Sequence, residues 1–165
     1  MERKKVLFIC LGNICRSPSA EAVMKKLIKD QNMENLIEVD SAGTINYHEG
    51  ETSDKRMQKH AERRGYKLDH LAKGFKRETD FSSSDYIVTM DNNNYYEIKS
   101  MDSKDRYTDK IFKMSEFSVN INFEEVPDPY YGGDKGFELV LDILEDACKG
   151  LLEKIKNDIK YNNQK

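Results

Sequence analysis

The chain contains no tryptophan and only three cysteines and three prolines among its 165 residues. Three cysteines do not make the disulfide framework of a small secreted domain, so we expect free thiols. No run approaches the ~20 apolar residues of a membrane span, and the apolar run near the start is too short for a signal peptide. The net charge is −3, without a polybasic stripe. We therefore expect a soluble cytoplasmic protein that binds neither nucleic acid nor membrane.

Strand-like and helix-like patterns alternate along the chain. We predict strands over 5–10, 36–40, 85–90 and 110–114, and helices over 18–31, 53–64, 78–84, 91–101 and 135–157. Such alternation is typical of a parallel sheet covered by helices on both faces. We expect a single α/β domain over 1–158 with a four-stranded, flavodoxin-like sheet in the order 2-1-3-4, followed by a polar tail over 159–165 that frays.

One stretch, 107–125, fits no single pattern. Its apolar residues alternate only in part, at positions 112, 117, 119, 121 and 123. Either an extra strand or a packed loop is compatible with this stretch.

The segment C-L-G-N-I-C-R-S at 10–17 carries the strongest chemical signal. Five residues separate Cys10 from Arg16, and a loop of that length can turn its backbone N–H groups inward around a phosphate-sized anion. Arg16 adds a planar charged group that can hold two of the anion's oxygens. We predict Ser17 as N-cap and Pro18 as the first helical residue, so the positive end of the helix would face the same loop.

This arrangement predicts a phosphate-binding loop in which Cys10 is the nucleophile. The loop's own residues would supply the N–H groups: Leu11, Gly12, Asn13, Ile14, Cys15 and Arg16. The alternative is a buried core cysteine at the end of a strand, which is common for that residue type.

A second signal is the segment V-P-D-P-Y-Y-G-G at 126–133. Pro127 and Pro129 restrict the backbone on both sides of Asp128, which would present its carboxyl group in a fixed direction. A carboxylic acid can protonate the leaving oxygen of a phosphate ester. We interpret Asp128 as a general acid, although this segment taken alone fits an ordinary proline-rich turn with a solvated aspartate better.

Together the two segments resemble the low-molecular-weight protein tyrosine phosphatase family. The chain carries C-L-G-N-I-C-R-S-P early and D-P-Y-Y-G more than a hundred residues later, so the nucleophile precedes the acid. The segments V-D-S-A-G-T at 39–44 and D-Y-I-V-T-M-D at 85–91 also look like family segments. The resemblance spans about residues 5–155 and is therefore a resemblance of nearly the whole chain.

The resemblance implies hydrolysis of phosphotyrosine in proteins, and of aryl phosphates, without a metal or an organic cofactor. Cys10 would form a phosphocysteine, and Arg16 would bind the phosphoryl oxygens. Asp128 would protonate the leaving tyrosine and then act as base on water. Ser17 would donate a hydrogen bond to the Cys10 thiolate and help it leave. Phosphate and other oxyanions would bind the same loop.

The family's supporting residues are also matched in this chain. The residues that would hold the loop in shape are Asn13, Ser41 and His70. Tyr130 and Tyr131 fall where the family has paired aromatic residues at the cleft mouth. Tyr47 falls where many members have a tryptophan that lines the cleft.

Related activities and assemblies stay open at this point. Arsenate reductases of the same fold use further cysteines in the segment matching 80–90, where this chain has none. Bacterial phosphoarginine phosphatases tend to carry threonine where Ile14 stands. Cys15 either packs in the loop or, as in family members, forms a disulfide with Cys10 under oxidation. We expect a monomer and leave weak homodimerisation open.

We assign the remaining polar residues of interest to ordinary structural roles. Asp91 is interpreted as a helix cap, and Cys148 as a core residue on the last helix. His48 and His60 are predicted to lie on the surface without neighbouring ligands. Asn94 is predicted to be solvated surface.

Overall fold

The computed structural model describes residues 3–163, with the exception of the Tyr131 side chain. The strands are β1 (Lys4–Cys10), β2 (Ile37–Gly43), β3 (Tyr86–Thr89) and β4 (Ile111–Lys113). The helices are α1 (Arg16–Asp30), α2 (Lys55–Glu62), α3 (Arg77–Ser83), α4 (Asn92–Met101) and α5 (Gly133–Asn163). Short 3-10 helices cover Thr108–Lys110, Met114–Phe117 and Pro129–Tyr131.

Within the described residues, four parallel strands form one sheet in the order β2-β1-β3-β4. Strand β1 pairs with β2 from Lys4, opposite Ile37, to Cys10, opposite Gly43. On its other side β1 pairs with β3. The predicted fold class and strand order are confirmed. Because β1 lies inside the sheet, Cys10 ends a strand at the carboxyl edge, where open α/β folds bind ligands.

Residues of β1 alternate between two apolar cores. Val6 and Phe8 belong to a large core shared with α1 and α5. Leu7 and Ile9 belong to a smaller core shared with α3 and α4. Successive side chains of a strand point to opposite faces, so the sheet is covered on both sides. None of the helices in residues 3–163 combines the length and the apolar character needed to cross a bilayer.

Helix α1 begins two residues before its predicted start, so the prediction of Ser17 as N-cap is wrong. Cys15 occupies the N-cap position without a side-chain hydrogen bond. The Ser17 hydroxyl instead accepts a hydrogen bond from Asn13 at 2.8 Å and lies 3.0 Å from the Cys10 sulfur. Ser17 is the second residue of α1, and its hydroxyl serves the loop instead of the cap.

Helix α2 is capped by Asp54 and not, as the predicted start implied, by Ser53. The Asp54 carboxylate accepts from the backbone N–H groups of Arg56 and Met57 at 2.9 and 3.2 Å. The Ser53 hydroxyl is buried and has no hydrogen-bond partner among the described residues. Two adjacent residues of capping type left the sequence ambiguous here, and the carboxylate also attracts the positive end of the helix.

The C-terminal helix α5 extends to Asn163, so residues 159–163 of the expected polar tail are helical. Ile159 still packs on the large core, and Asp158 accepts a hydrogen bond from the Tyr86 hydroxyl at 2.6 Å. These contacts continue the helix beyond its predicted end. Residues 164–165 lie outside the described residues.

The uncertain stretch 107–125 contains β4 between two 3-10 helices, Thr108–Lys110 and Met114–Phe117, and continues as a packed loop. No extra strand occurs in the described residues between 114 and 128. The backbone N–H groups of Val119, Asn120 and Ile121 all donate to the buried Asp146 carboxylate, at 2.8 to 3.2 Å. The Asp146 carboxylate on α5 therefore accepts backbone hydrogen bonds that a neighbouring strand would otherwise have accepted.

Candidate active site

A cavity of about 280 Å³ opens at the carboxyl edge of β1. The loop after β1 contributes Cys10, Leu11, Gly12, Ile14, Cys15 and Arg16 to its lining. Other segments contribute Ile45, His48, Asp54, Asp128, Tyr130 and Phe137. The fold thus brings Cys10, Arg16 and Asp128, predicted from two distant segments, to one cavity.

Asn13 organises the loop from within. Its backbone adopts the left-handed conformation, with φ at 58°, which asparagine tolerates better than most residues. Its side-chain oxygen accepts from Lys73 N and His70 Nε2, at 3.0 and 2.7 Å. Its side-chain nitrogen donates to the hydroxyls of Ser17 and Ser41, at 2.8 and 3.0 Å. All four hydrogen-bonding positions of the buried amide are therefore used.

These bonds set the direction of the two hydroxyl protons. Since Ser17 Oγ accepts from Asn13, its own proton is available to the Cys10 sulfur, 3.0 Å away. Ser41 Oγ also accepts from Asn13 and donates to the buried Glu21 carboxylate at 2.6 Å. The network thus runs from a buried carboxylate to the cysteine, and Ser17 is placed to donate to the sulfur.

A charged cluster supports this network on the side away from the cavity. Glu21 accepts from Lys25 at 2.6 Å and lies 3.2 Å from His70 Nδ1. Burial disfavours the ionised form of Asp40, but the hydrogen bonds from Lys73 and Ser41 N and the nearby positive charge together outweigh it and hold the Asp40 pKa below its usual range. Potential ligand atoms of Glu21, Asp40 and His70 lie within 4.8 Å of one another. Each already has a protein partner, which favours a structural role for them over metal binding.

Arg16 is buried and held in place by two acceptors. Its Nη1 donates to Asp91 Oδ2 at 2.6 Å and to the Val126 carbonyl at 3.1 Å. Its Nη2 lies 4.0 Å from Asp128 Oδ2. Burial opposes the charge of the guanidinium, yet the negative charges of Cys10 and Asp91 outweigh it and raise the Arg16 pKa. The cavity therefore contains a fixed cation beside the cysteine.

Asp91 has a second task that sequence reasoning missed. The predicted cap is present, since Asp91 Oδ1 accepts from Asn94 N at 2.8 Å. The other carboxylate oxygen binds Arg16. Asn94 is buried in the resulting capping box rather than solvated as predicted. The available signal was position, because Asp91 follows β3 at the same edge of the sheet as Cys10.

Asp128 faces the cavity from the other side of the opening. Its Oδ1 accepts from Tyr130 N at 3.0 Å, which fixes the carboxyl group on the short 3-10 helix that follows. About half of the side chain is exposed, so it can reach both a bound molecule and solvent water.

The aromatic surroundings differ in part from the prediction. Tyr130 lines the cavity, and the Arg56 guanidinium lies over its ring at 5.3 Å. The Tyr131 side chain lies outside the described part of the chain. Tyr47 is 80% exposed and does not belong to the cavity lining. Its ring packs edge-on against His48 at 4.9 Å.

His48 and Ile45 line the wall expected of Tyr47. His48 is partly exposed, as predicted, but the prediction that it has no neighbouring ligand is wrong. Its Nδ1 lies 2.7 Å from the Glu51 carboxylate, and both His48 and Ile45 line the cavity. Ile45 and His48 point into the cavity while Tyr47 points away from it. No pattern in the sequence predicts which side chains of this loop face the cavity.

Asp54 also reaches the site without having been predicted. Its backbone N–H donates to the Ile14 carbonyl at 2.7 Å, which ties the start of α2 to the loop. Cys15 lies in the same lining. Burial, reinforced by the neighbouring Cys10 charge, raises the pKa of the Cys15 thiol far above its ordinary value. Cys15 is therefore a protonated thiol next to the nucleophile candidate.

Comparison with known proteins agrees with these features. The family description "low molecular weight phosphotyrosine protein phosphatase" matches residues 5–161. A putative low molecular weight protein-tyrosine-phosphatase of Synechocystis is 43% identical over 94% of this chain and 98% of its own length. A crystal structure of a protein tyrosine phosphatase from Entamoeba histolytica, with Hepes in its active site, superposes with a TM-score of 0.91. It is 51% identical and covers 94% of this chain and 98% of its own.

A further relative of known structure carries a different name. The Drosophila arginine phosphatase superposes with a TM-score of 0.84 at 34% identity, covering 92% of this chain and 98% of its own. The family match over almost the whole chain confirms the resemblance drawn from the two motifs. The chain therefore belongs to the low molecular weight phosphotyrosine protein phosphatase family and is an enzyme of the hydrolase class.

Proposed function

We propose that this enzyme hydrolyses phosphotyrosine in proteins, and other aryl phosphate monoesters, through a phosphocysteine on Cys10. The observation that carries the proposal is the shared cavity. Cys10, Arg16 and Asp128 line one space of about 280 Å³, which suits a phosphate group and part of an aromatic ring.

In the first step the Cys10 thiolate attacks phosphorus, and the bond between phosphorus and the phenolic oxygen breaks. Asp128, protonated at this stage, gives its proton to the departing oxygen, so a neutral phenol leaves. The phosphoryl group is then bonded to sulfur. Ser17, whose hydroxyl oxygen lies 3.0 Å from the Cys10 sulfur, donates a hydrogen bond that stabilises the thiolate before attack.

In the second step a water molecule attacks phosphorus on the opposite side from sulfur. Asp128, now ionised, accepts a proton from that water, and the sulfur–phosphorus bond breaks. Ser17 donates to the sulfur as its negative charge returns. Inorganic phosphate leaves, and Asp128 is again protonated for the next substrate.

Arg16 and the loop amides supply electrostatic stabilisation in both steps. Negative charge spreads over the equatorial phosphoryl oxygens in the transition state, and donors that are already in place cost little reorganisation when the charge develops. Arg16 is held by Asp91 and Val126 before any substrate binds. The same donors explain binding of phosphate and other oxyanions.

The cavity lining favours an aryl over a guanidino substrate. Ile14 and Ile45 present apolar side chains to the opening, and Tyr130 adds a ring. A phosphoarginine side chain would place its polar N–H groups against these apolar walls, where they would lose hydrogen bonds to water. An arsenate reductase is disfavoured because the described segment 80–90 has no cysteine to carry a disulfide outward.

The proposal is tested with two matched peptides that carry phosphotyrosine or phosphoarginine at the same position. We expect the wild-type enzyme to release phosphate from the phosphotyrosine peptide with the higher kcat/KM, and Cys10→Ser to release none from either. The Ile14→Thr variant should show a smaller ratio of kcat/KM for the phosphotyrosine peptide to kcat/KM for the phosphoarginine peptide. A preference of the wild type for phosphoarginine would overturn the substrate assignment, and turnover by Cys10→Ser would overturn the mechanism.

We also infer that Cys15 is the redox partner of Cys10. A peroxide would oxidise the Cys10 thiolate to a sulfenic acid and be reduced to water, and the Cys15 thiol would then form the disulfide with loss of a second water molecule. Cys15 lies beside Cys10 in the loop and is kept as a thiol by burial. Peroxide treatment followed by dithiothreitol should restore activity in the wild type but not in Cys15→Ser. Equal recovery in both would contradict this role.

A further inference from the structure

His60 is buried between two carboxylates at the start of α5. The prediction that it lies on the surface without neighbouring ligands is wrong, because its side chain is only 5% exposed. Its Nδ1 lies 2.5 Å from Glu138 Oε2, and its Nε2 lies 3.2 Å from Asp134 Oδ1. One histidine on α2 therefore contacts the first two turns of α5.

The two contacts fix the orientation of the ring, because each ring nitrogen faces a different carboxylate of α5. The other charged groups around it are Arg64, which also binds Glu138 at 2.8 Å, and Arg56, which lies over the neighbouring Phe137 ring.

The position of these contacts along the chain links them to the active site. Residues 128–132, here called the acid segment, carry Asp128 and lead directly into α5. Gly133 joins the two. Its backbone is left-handed, with φ at 63°, and glycine adopts this conformation without steric cost because it has no side chain. The direction of the acid segment therefore depends on how the first turn of α5 is held.

Phe137 connects the same histidine to the cavity wall. The His60 and Phe137 rings stack with centroids 5.3 Å apart and planes 11° from parallel, and Phe137 lines the cavity. Arg56, on the same helix as His60, lies 5.0 Å from the Phe137 ring centre and 5.3 Å from that of Tyr130 in the acid segment. Helix α2 thus contacts the acid segment at one end and its junction with α5 at the other.

We propose that His60, held between Asp134 and Glu138 and stacked on Phe137, is a positioning residue that keeps the acid segment in place for proton transfer by Asp128. The inference rests on the role proposed above for Asp128. A purely structural ion pair between α2 and α5 would affect stability alone. A positioning role would in addition lower activity more for substrates whose leaving group needs a proton.

The experiment compares kcat/KM for 2,4-dinitrophenyl phosphate, whose leaving group departs without a proton, and phenyl phosphate, whose leaving group needs one. The variants are His60→Gln and Asp134→Asn. Because the Asp134 side chain is 95% exposed, we expect Asp134→Asn to fold normally. The matched control is Tyr66→Phe, which removes a hydrogen bond to Glu145 further along the same helix interface. Asp128→Asn calibrates the loss of the acid itself.

We expect His60→Gln and Asp134→Asn to lower kcat/KM for phenyl phosphate by roughly tenfold, a part of the 10²–10⁴ that a general acid supplies. The dinitrophenyl ester should change by less than about twofold, since its cleavage requires no acid. Tyr66→Phe should change both substrates equally.

The outcomes distinguish a failure of the inference about His60 from a failure of the role proposed for Asp128. If Asp128→Asn shows the leaving-group dependence and the His60 and Asp134 variants do not, the inference is wrong while the proposed mechanism stands. If Asp128→Asn itself treats both substrates alike, the proposed role of Asp128 fails.

Discussion

Asp91 binds Arg16 with one carboxylate oxygen and caps α4 with the other. Oδ2 accepts from Arg16 Nη1 at 2.6 Å, and Oδ1 accepts from Asn94 N at 2.8 Å. The side chain of Asp91 is largely buried. The helix that follows β3 therefore fixes the carboxylate, and the carboxylate fixes the guanidinium of the phosphate-binding loop.

Removing the charge of Asp91 should impair catalysis more than folding. In Asp91→Asn the amide oxygen can still cap α4, but the charge-assisted bond to Arg16 is lost. We expect kcat/KM for an aryl phosphate to fall by roughly 10- to 100-fold, as expected for a misplaced transition-state donor. Inhibition by inorganic phosphate should weaken in parallel.

The matched control for Asp91 is Glu125→Gln. Glu125 accepts from Asn92 N at 2.9 Å at the same helix end and does not contact Arg16. Its kcat/KM should stay within about twofold of wild type, as expected for a surface change. Equal losses in Asp91→Asn and Glu125→Gln would mean that the end of α4, and not the ion pair, matters.

Asn13 should be sensitive both to its side chain and to its backbone. Asn13→Ala removes four hydrogen bonds and puts alanine at φ 58°. We expect the free energy of unfolding to fall by about 2–4 kcal/mol, the range for breaking a buried network. Asn13→Gly loses the same bonds without backbone strain, so it should recover about 1 kcal/mol of that loss.

Denaturant unfolding of the two Asn13 variants provides the measurement, with kcat recorded alongside. Both variants should lose activity, because neither can align Ser17 and Ser41. An Asn13→Gly variant less stable than Asn13→Ala would show that the left-handed backbone is not what asparagine supplies here.

Gly150 lies inside α5, where helix propensity alone predicts that alanine would stabilise the protein by about 1 kcal/mol. The structure predicts the opposite. A Cβ on Gly150 would lie 1.9 Å from the Phe117 carbonyl oxygen, so the backbone of the preceding loop would have to move. Gly150→Ala should cost about 3 kcal/mol or more, within the range for overpacking a core.

Thermal unfolding distinguishes the two expectations for Gly150. Lys149→Ala, on the exposed side of the same turn, should leave the melting temperature nearly unchanged. A melting temperature of Gly150→Ala at or above that of wild type would contradict the close approach of α5 to Phe117.

Asp146 should make the stability of the enzyme depend on pH in the acid range. Burial disfavours its ionised form, but the three backbone N–H donors of residues 119–121 outweigh this and lower the Asp146 pKa below its usual value. A pKa lowered by folding adds stability above ~pH 4, where the unfolded aspartate is ionised, and this is lost as the pH falls through the folded value.

The comparison for Asp146 is with Asp146→Asn. At neutral pH the variant should be less stable by about 2 kcal/mol, as expected for hydrogen bonds to a charged group. Urea unfolding between about pH 3 and pH 7 should show this difference shrinking toward the acid end. A difference that is constant over that range would mean that the charge of Asp146 contributes nothing.

The sequence predicted the elements with strong local patterns and the two motifs that bring the chemistry. The buried run of β1 and the periodic apolar residues of α5 sufficed for the fold class, because period and length identify such elements. Cys10 and Arg16 could be predicted to share a site because their loop is distinctive in itself, whereas Asp128 became a candidate only when its segment was read together with that loop. Element ends were less certain, as the competition of Ser53 and Asp54 for the cap of α2 illustrates.

Residues whose roles arise only from tertiary packing were beyond sequence reasoning. From the sequence, His60 is a surface histidine of a polar helix. Its contacts with Asp134 and Glu138 arise only when α5 packs against α2. Asp91 reads as a cap until the neighbouring strand brings Arg16 to it. His48 turns inward and Tyr47 outward because of how the loop after β2 folds, and no periodicity exists in a loop to reveal this.

The central claim is that phosphate passes through the Cys10 sulfur. A denaturing quench during turnover of an aryl phosphate, followed by phosphorus NMR and peptide mapping, tests it most directly. The account predicts phosphorus bonded to sulfur on the peptide that contains Cys10, and none in Cys10→Ser. Phosphate found on another residue, or steady hydrolysis by Cys10→Ser, would contradict it.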